Sequence, residues 1–457
     1  MTQQPAADSY RPDSPLVVDH DVVIVGAGFA GLYAAQKLGR AGVDVLLLDQ
    51  NPYHQFQPLL YQAATSQIPI SSVARPLRAI LHRERDHVKI RTARVADIDA
   101  TTKTVTTADG LSYRGRILAI AAGTEPNFFN TPGARDLAYP LYSLDDATSL
   151  SSAMLGALER ASAMQDAGGE HRPFGVAVVG AGPTGVETAG ALAENIRLVV
   201  AEQYSPEFAA SINVHLIDMS DTVLGAFSDS SQRYTRRSLQ DLGVIIHLGT
   251  AVSAVTEEGV TLADDTTIPA GIVAWTAGLK ATGLLHKAGL PTGRGGRVDV
   301  NTDLTVPDFP GVYVLGDAAN IVDAKGRSLP QLGSVAKQSG QWAADNIQAD
   351  LAGQPRTPFG FRDLGFMAMI GRGRAVAEVT PRRIQMSGLL AFLSWLAVHL
   401  MLLSGMQQRA AVLVSWFRDY LTSSRPHVVI HQPDIYARTR HTDSASQPLT
   451  ETGVSND

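Results

Sequence analysis

The sequence contains no cysteine. That excludes a structural disulfide framework, a thiolate zinc site, an iron–sulfur cluster and any cysteine nucleophile or redox dithiol. The chain is also short of charge. Asp, Glu, Lys and Arg make up 18% of it, against about 25% in an average soluble protein. The shortfall points to much buried surface, or to a surface that faces something other than water. Basic residues are not in excess. With 38 basic and 44 acidic side chains the net charge is −6, which argues against a nucleic-acid partner. The histidines show no metal-ligand spacing, and His427 and His431 lie in a strand-like run, PHVVIHQ. Residues 1–19 are polar and rich in Pro, Ser and Asp, with no apolar targeting run, and read as a disordered tail. Residues 432–457 read the same way.

What is present is a chain of 457 residues, 45% of them apolar. At roughly 150 residues per domain this suggests about three units. The β-branched run DVVIV, ending at Val25, leads straight into GAGFAG, then a helical pattern around Leu32–Leu38, then VDVLLLD ending at Asp49. Strand, glycine turn, helix, strand and acid follow in the order a dinucleotide site requires. Gly26 permits the tight turn, Gly28 lets backbone approach a pyrophosphate, and Gly31 lets helix pack on strand. The helix N-terminus then faces phosphate charge, and Asp49 can accept from a ribose hydroxyl pair. The pattern recurs. GVAVV, ending at Val179, precedes GAGPTG with Gly180, Gly182 and Gly185, a helix to about Leu198, and NVHLID ending at Asp218. The extra length before Asp218, in residues 195–211, reads as a helix extension plus loop. Two such folds imply two dinucleotides, most economically FAD and a nicotinamide. A third element, GVYVLGDAA, places Asp317 after a strand and before an expected helix start, where a carboxylate can meet a ribityl hydroxyl. ILAIAAG (117–123) and IVAWTAG (272–278) read as crossovers between nested domains.

Twin dinucleotide folds with a late Gly-Asp resemble the two-dinucleotide flavoprotein superfamily. Longer strings narrow the match. NPYHQFQPLLYQAATSQIP (51–69), VVGAGPTGVETAGALAE (178–194), AWTAGLKA (274–281), LPQLGSVAKQSGQWAADNI (329–347) and PFGFRDLGFMAMIGRGRAVAE (358–378) are similar to type II NADH dehydrogenases. The resemblance covers about 20–430. It implies an α/β fold with two Rossmann-like domains, the NADH domain inserted in the FAD domain, and a C-terminal helical membrane-anchoring region. The expected bounds are 20–140 and 300–355 for the FAD domain, 141–299 for the NADH domain and 356–431 for the anchoring region. It also implies FAD held by Gly26, Gly28, Gly31, Asp49 and Asp317, and NADH held by Gly180, Gly182, Gly185 and Asp218. Gln62 and Tyr61 could line the flavin, whereas His54 reads as structural. The implied activity is hydride transfer from NADH to flavin and two electrons onward to a membrane quinone, ubiquinone or menaquinone, without proton pumping. The absence of cysteine removes the thiol-dependent branches of the superfamily.

Two candidates carry alternatives. Glu187 is either a carboxylate complementing a helix dipole, worth about 0.3–1 kcal/mol, or, as the resemblance implies, an acid assisting proton delivery to quinone. Gln338 either bonds a quinone carbonyl or bonds backbone. The family often has Gln where this chain has Ser339, and Lys where it has Leu364; both departures fall on the acceptor side. Asp218 repels a 2′-phosphate and favours NADH over NADPH.

Residues 388–406 carry no acidic or basic side chain except His399. As one helix they would reach about 28 Å, close to a bilayer core. Leu413, Trp416, Phe417, Tyr420 and Leu421 follow the spacing of one apolar stripe. Three readings are open: a monotopic anchor on the cytoplasmic face of the cell membrane, as the resemblance implies, a spanning helix, or a soluble core or homodimer interface. Two rival functions are also open. One is a soluble NADH-dependent flavin oxidase or reductase using oxygen or a small acceptor; the other is a low-turnover flavin redox sensor.

Overall fold

The computed structural model describes residues 17–167, 174–323, 325–380 and 384–421. The expected tails lie almost wholly outside the described residues, as do His427 and His431. The exception is Val17–Asp19, which opens the first strand instead of ending a tail.

The chain begins with β1 (Val17–Val25), α1 (Phe29–Arg40) and β2 (Val45–Asp49). A short helix, α2 (Leu60–Ala64), precedes β3 (Val88–Thr92) and β4 (Ser112–Ile120). The buried stretches of β1, β2 and β4 are apolar runs, VVIV, VLLL and ILAI, with no polar alternation, the pattern of a parallel sheet covered on both faces; β3, VKIRT, alternates at the edge. The chain then crosses to a second sheet. It contains β5 (Tyr139–Pro140), β6 (Phe174–Val179), β7 (Ile212–Ile217), β8 (Val244–His247) and β9 (Ile272–Trp275). These run parallel in the order β5-β9-β6-β7-β8. Between β6 and β7 lies α3 (Pro183–Asn195). Its expected extension is helical nearly throughout: a π turn at Ile196–Val200, then short helices at Ala201–Gln203 and Pro206–Ser211.

The chain returns as β10 (Phe309–Val314), which pairs with β4 and completes a parallel core of order β10-β4-β1-β2-β3. The second sheet is thus nested within the first in sequence. Its first strand, β5, pairs with Ala274 and Trp275 of β9. The two crossover segments continue into strands that pair with each other, Thr124–Pro126 against Leu279–Ala281. Helix α4 (Gly333–Leu351) then packs along α1. The contact is backbone-close: a Cβ on Gly340 would lie 2.1 Å from the Ala30 carbonyl oxygen.

The C-terminal segment forms an antiparallel sheet of β11 (Phe366–Gly371), β12 (Arg374–Val379) and β13 (Ile384–Ser387). Two helices follow, α5 (Leu389–Leu402) and α6 (Met406–Leu421). The run from 388 to 406 is therefore not one helix. It breaks at Leu403–Gly405, and α5, at 14 residues, reaches about 21 Å. Among the described residues, no helix is long and apolar enough to cross a membrane. The expected single stripe on α6 is also divided. Trp416 and Val412 are buried, whereas Leu413 and Phe417 are exposed. Two apolar surfaces compete for this helix, one inside the fold and one outside.

Gly340→Val should push α4 off α1. Overpacking of this kind costs about 1–3 kcal/mol, so the melting temperature should fall. An unchanged melting temperature would contradict the close approach.

Candidate active site

The two glycine turns are built alike. Gly26 and Gly180 have φ of +98° and +108°, a region that disfavours any residue with a Cβ. A Cβ on Gly31 or Gly185 would strike the carbonyl oxygen of Gly26 or Gly180, at 1.8 and 1.7 Å. A Cβ on Gly28 or Gly182 would meet nothing within 4 Å. Those two positions therefore border open space, as a pyrophosphate cradle requires.

Each turn is braced by the acid of the following strand. Asp49 accepts from the backbone N–H of Ala27 (2.6 Å) and of Asn51 (2.7 Å). Asp218 accepts from Ala181 (2.5 Å) and Ser220 (2.7 Å). A carboxylate offers about four acceptor positions, so both acids retain capacity for ribose hydroxyls. Burial pushes the Asp49 carboxyl up, against these N–H bonds. His54 donates from Nδ1 to the Ala27 carbonyl (3.0 Å), because a carbonyl can only accept. It props the first turn, in keeping with a structural role.

Asp317 sits in a 3-10 turn after β10, well ahead of α4, and not at a long helix start. Burial pushes its carboxyl up to about 6, with Arg297 opposing the rise. Among the described residues no donor bonds this carboxylate. An acid crowded by protein but left without a donor suits a ligand hydroxyl.

Glu187 lies in the second turn of α3, past the first-turn positions where a helix dipole acts most strongly. The surrounding protein instead sets its chemistry. Desolvation pushes its carboxyl up to about 8; the Met369 backbone N–H (3.1 Å) and the Trp395 indole oppose the rise. Strand β11 reaches this acid because a glycine at 190 admits it: a Cβ there would lie 1.8 Å from the Ile370 carbonyl oxygen.

Two further candidates have partners within the protein. Gln62 is 0% exposed. Its amide nitrogen donates to the Tyr61 hydroxyl (3.2 Å), and its oxygen accepts from the Trp416 indole (2.9 Å). It joins α2 to α6. Gln338 spends both amide atoms on the backbone of Arg362, each at 3.0 Å. It pins a loop, which is the backbone alternative for this residue. Its neighbour Ser339 is buried, donates to Ala336 O and accepts from Gly316 N (3.1 Å). Leu364 is exposed.

Sequence reasoning missed Met369, Trp395 and His399. Met369 acts through its backbone and leaves no trace in side-chain pattern. Trp395 and His399 do carry a signal: two N–H-bearing rings one helical turn apart inside an otherwise apolar run.

Comparison with known proteins agrees with this architecture. Residues 20–340 match the pyridine nucleotide-disulphide oxidoreductase family, and residues 364–425 match the NDH2 C-terminal domain. A type II NADH:quinone oxidoreductase of Mycobacterium tuberculosis, Ndh, is 35% identical over 92% of this chain and 92% of its own length. A demethylphylloquinone reductase of Synechocystis is 28% identical over 86% of this chain and 95% of its own length. The solved NDH2 of Plasmodium falciparum superposes with a TM-score of 0.80 at 18% identity, over 90% of this chain and 100% of that one. By its matches to both family models, and to relatives at 35% and 33% identity along 92% of its length, the chain belongs to the type II NADH:quinone oxidoreductases.

Proposed function

We infer that the chain oxidises NADH and reduces quinone through bound FAD. The observation that carries this reading is the pair of matched glycine–acid turns with a proton-holding glutamate beside the second. Gly26, Gly28, Gly31, Asp49 and Asp317 would hold FAD; Gly180, Gly182, Gly185 and Asp218 would hold NADH. On this reading residues 300–355 join the N-terminal part in the FAD unit, and 141–299 form the NADH unit. When bound, FAD supplies the two-electron relay between hydride donor and quinone.

The protein's own contribution is geometry and a proton. Hydride from NADH brings two electrons and one proton, and quinol formation needs a second proton. Glu187, with a carboxyl near 8, is mostly protonated at pH 7 and can give that proton to a quinone oxygen. Water then reprotonates it. Asp218 reads the adenosine ribose and repels a 2′-phosphate, which selects NADH. Gln338 keeps a second amide N–H beyond its bonds to Arg362, and that N–H is the group that would donate to a quinone carbonyl.

The outward faces of α5 and α6 carry exposed Leu389, Leu390, Leu393, Met401, Leu413 and Phe417. A patch of this kind marks an interaction surface. Seated on the cytoplasmic face of a membrane, it places the site beside the phase in which quinones dissolve. Arg409 donates to the carbonyls of Leu403 (2.8 Å) and Met401 (2.7 Å), closing the end of α5.

The direct test is spectral. The purified protein should be yellow, bleach on NADH, and recover colour within seconds of adding quinone. Faster recovery with oxygen than with quinone would favour the oxidase reading, and a colourless protein would overturn the proposal. Asp218→Ala should raise KM for NADH about tenfold, the loss expected for hydrogen bonds to a charged group, and relax discrimination against NADPH. Paired Leu390→Asp and Leu393→Asp substitutions should abolish co-sedimentation with phospholipid vesicles while flavin reduction by NADH stays normal. Loss of a dimer in sedimentation, with vesicle binding intact, would instead assign the patch to a second copy of the chain.

The Glu187 carboxyl also makes stability depend on pH. Its folded-state value lies above the ordinary 4.5, so the fold favours the neutral form. The wild-type acid therefore weakens the fold as pH rises from about 4.5 to about 8. Glu187→Gln should raise the melting temperature more at pH 9 than at pH 5. Equal shifts at both pH values would contradict the raised carboxyl.

A further inference from the structure

Helix α5 faces two ways. Leu389, Leu390 and Leu393 are exposed, whereas Trp395 is fully buried. The Trp395 indole N–H has no hydrogen bond of standard geometry among the described residues, and it is turned toward the Glu187 carboxyl. Buried donors are almost always satisfied, so an unsatisfied one beside an acid calls for an explanation. The neighbouring indole cannot substitute, because the Trp416 N–H is already committed to Gln62.

The orientation of Trp395 is fixed from several sides. The His399 ring stacks on it at 3.8 Å with an interplanar angle of 18°. His399 Nδ1 donates to the Trp395 carbonyl at 2.8 Å. Tyr61 meets the indole edge-on at 6.3 Å, and Trp416 packs against it at 6.1 Å. We propose that Trp395 is the positioning residue for Glu187, its indole N–H becoming the second donor to the carboxylate when the acid's proton leaves for quinone. This rests on the reading of Glu187 as that proton's source. One donor, Met369 N–H, is in place in either protonation state. The anion requires more than one, and a charge-assisted bond is roughly twice as strong as a neutral one. The indole therefore favours the anion selectively and lets a desolvated acid release its proton near neutral pH.

Other titratable groups around this point leave the role to Trp395. Tyr61, on α2, feels Glu187, Tyr420 and Glu194, and burial holds its hydroxyl protonated, well above the usual range. His399 is lowered to about 4 by burial and stays neutral through the working range. Glu194, two turns along α3, accepts from the Arg372 backbone N–H. No described cation forms an ion pair with Glu187.

The test is a pH titration of the holoenzyme carrying 15N-labelled indole rings. The chain has four tryptophans, so the Trp395 resonance is assigned by its loss in W395F, or by elimination with the other three if that variant does not fold. The N–H signal should move downfield as pH rises through about 8, and should stay fixed in E187Q. In W395F the alkaline limb of quinone reduction should move up by about one pH unit, a tenfold change in proton affinity, with flavin reduction by NADH unaltered. A signal flat from about pH 6.5 to about 9.5, one that moves equally in E187Q, or a limb that stays put in folded W395F would overturn the proposal. A signal that titrates with Glu187 in an enzyme whose quinone turnover has no alkaline limb would uphold the Trp395 assignment and remove Glu187 as proton donor.

Discussion

Strand β11 lies against helix α3 at backbone distance, and the chemistry of the site depends on that contact. Gly190 permits it, since any Cβ there would collide with the Ile370 carbonyl. The approach brings the Met369 N–H to Glu187 and lays the C-terminal sheet over the acid. A carboxyl crowded in this way prefers its proton. The same sheet carries α5, against which α6 packs, so the element that desolvates the acid also supports the exposed apolar surface. The raised carboxyl and the exposed apolar surface thus share one structural support.

The dinucleotide turns show a complementary use of glycine. At Gly28 and Gly182 the missing side chain leaves room for a ligand, while at Gly31 and Gly185 it leaves room for the protein's own backbone. The acids then do two things at once. Asp49 and Asp218 each hold their turn through backbone N–H bonds and keep further acceptor positions. Loss of either acid therefore alters the turn itself, which separates these residues from Asp317, whose carboxylate bonds no described donor.

These turns were legible in the sequence because their signals are local: glycine spacing, the β-branched strand before it and the acid after it lie within one short stretch. Glu187 was visible as a candidate, but its environment was not, since desolvation comes from residues some 180 positions later. Gln62 and Gln338 could be named as candidates, but their protein partners could not, for a related reason. An amide has both donor and acceptor, and sequence does not tell which partner takes them; here Trp416 and the Arg362 backbone do. Hydropathy likewise saw one apolar run across 388–406 and one stripe on α6. It could not see the break at Leu403–Gly405, nor that Trp416 faces inward while Phe417 faces outward.

The account turns on Glu187, whose carboxyl burial pushes up to about 8 just past the second glycine turn. Infrared difference titration of the holoenzyme, with the Glu187 band identified by its absence in E187Q, measures this directly. The protonated carboxyl band should disappear with a midpoint near pH 8. A midpoint near the ordinary 4.5 would contradict the account, for the acid would then hold no proton to give.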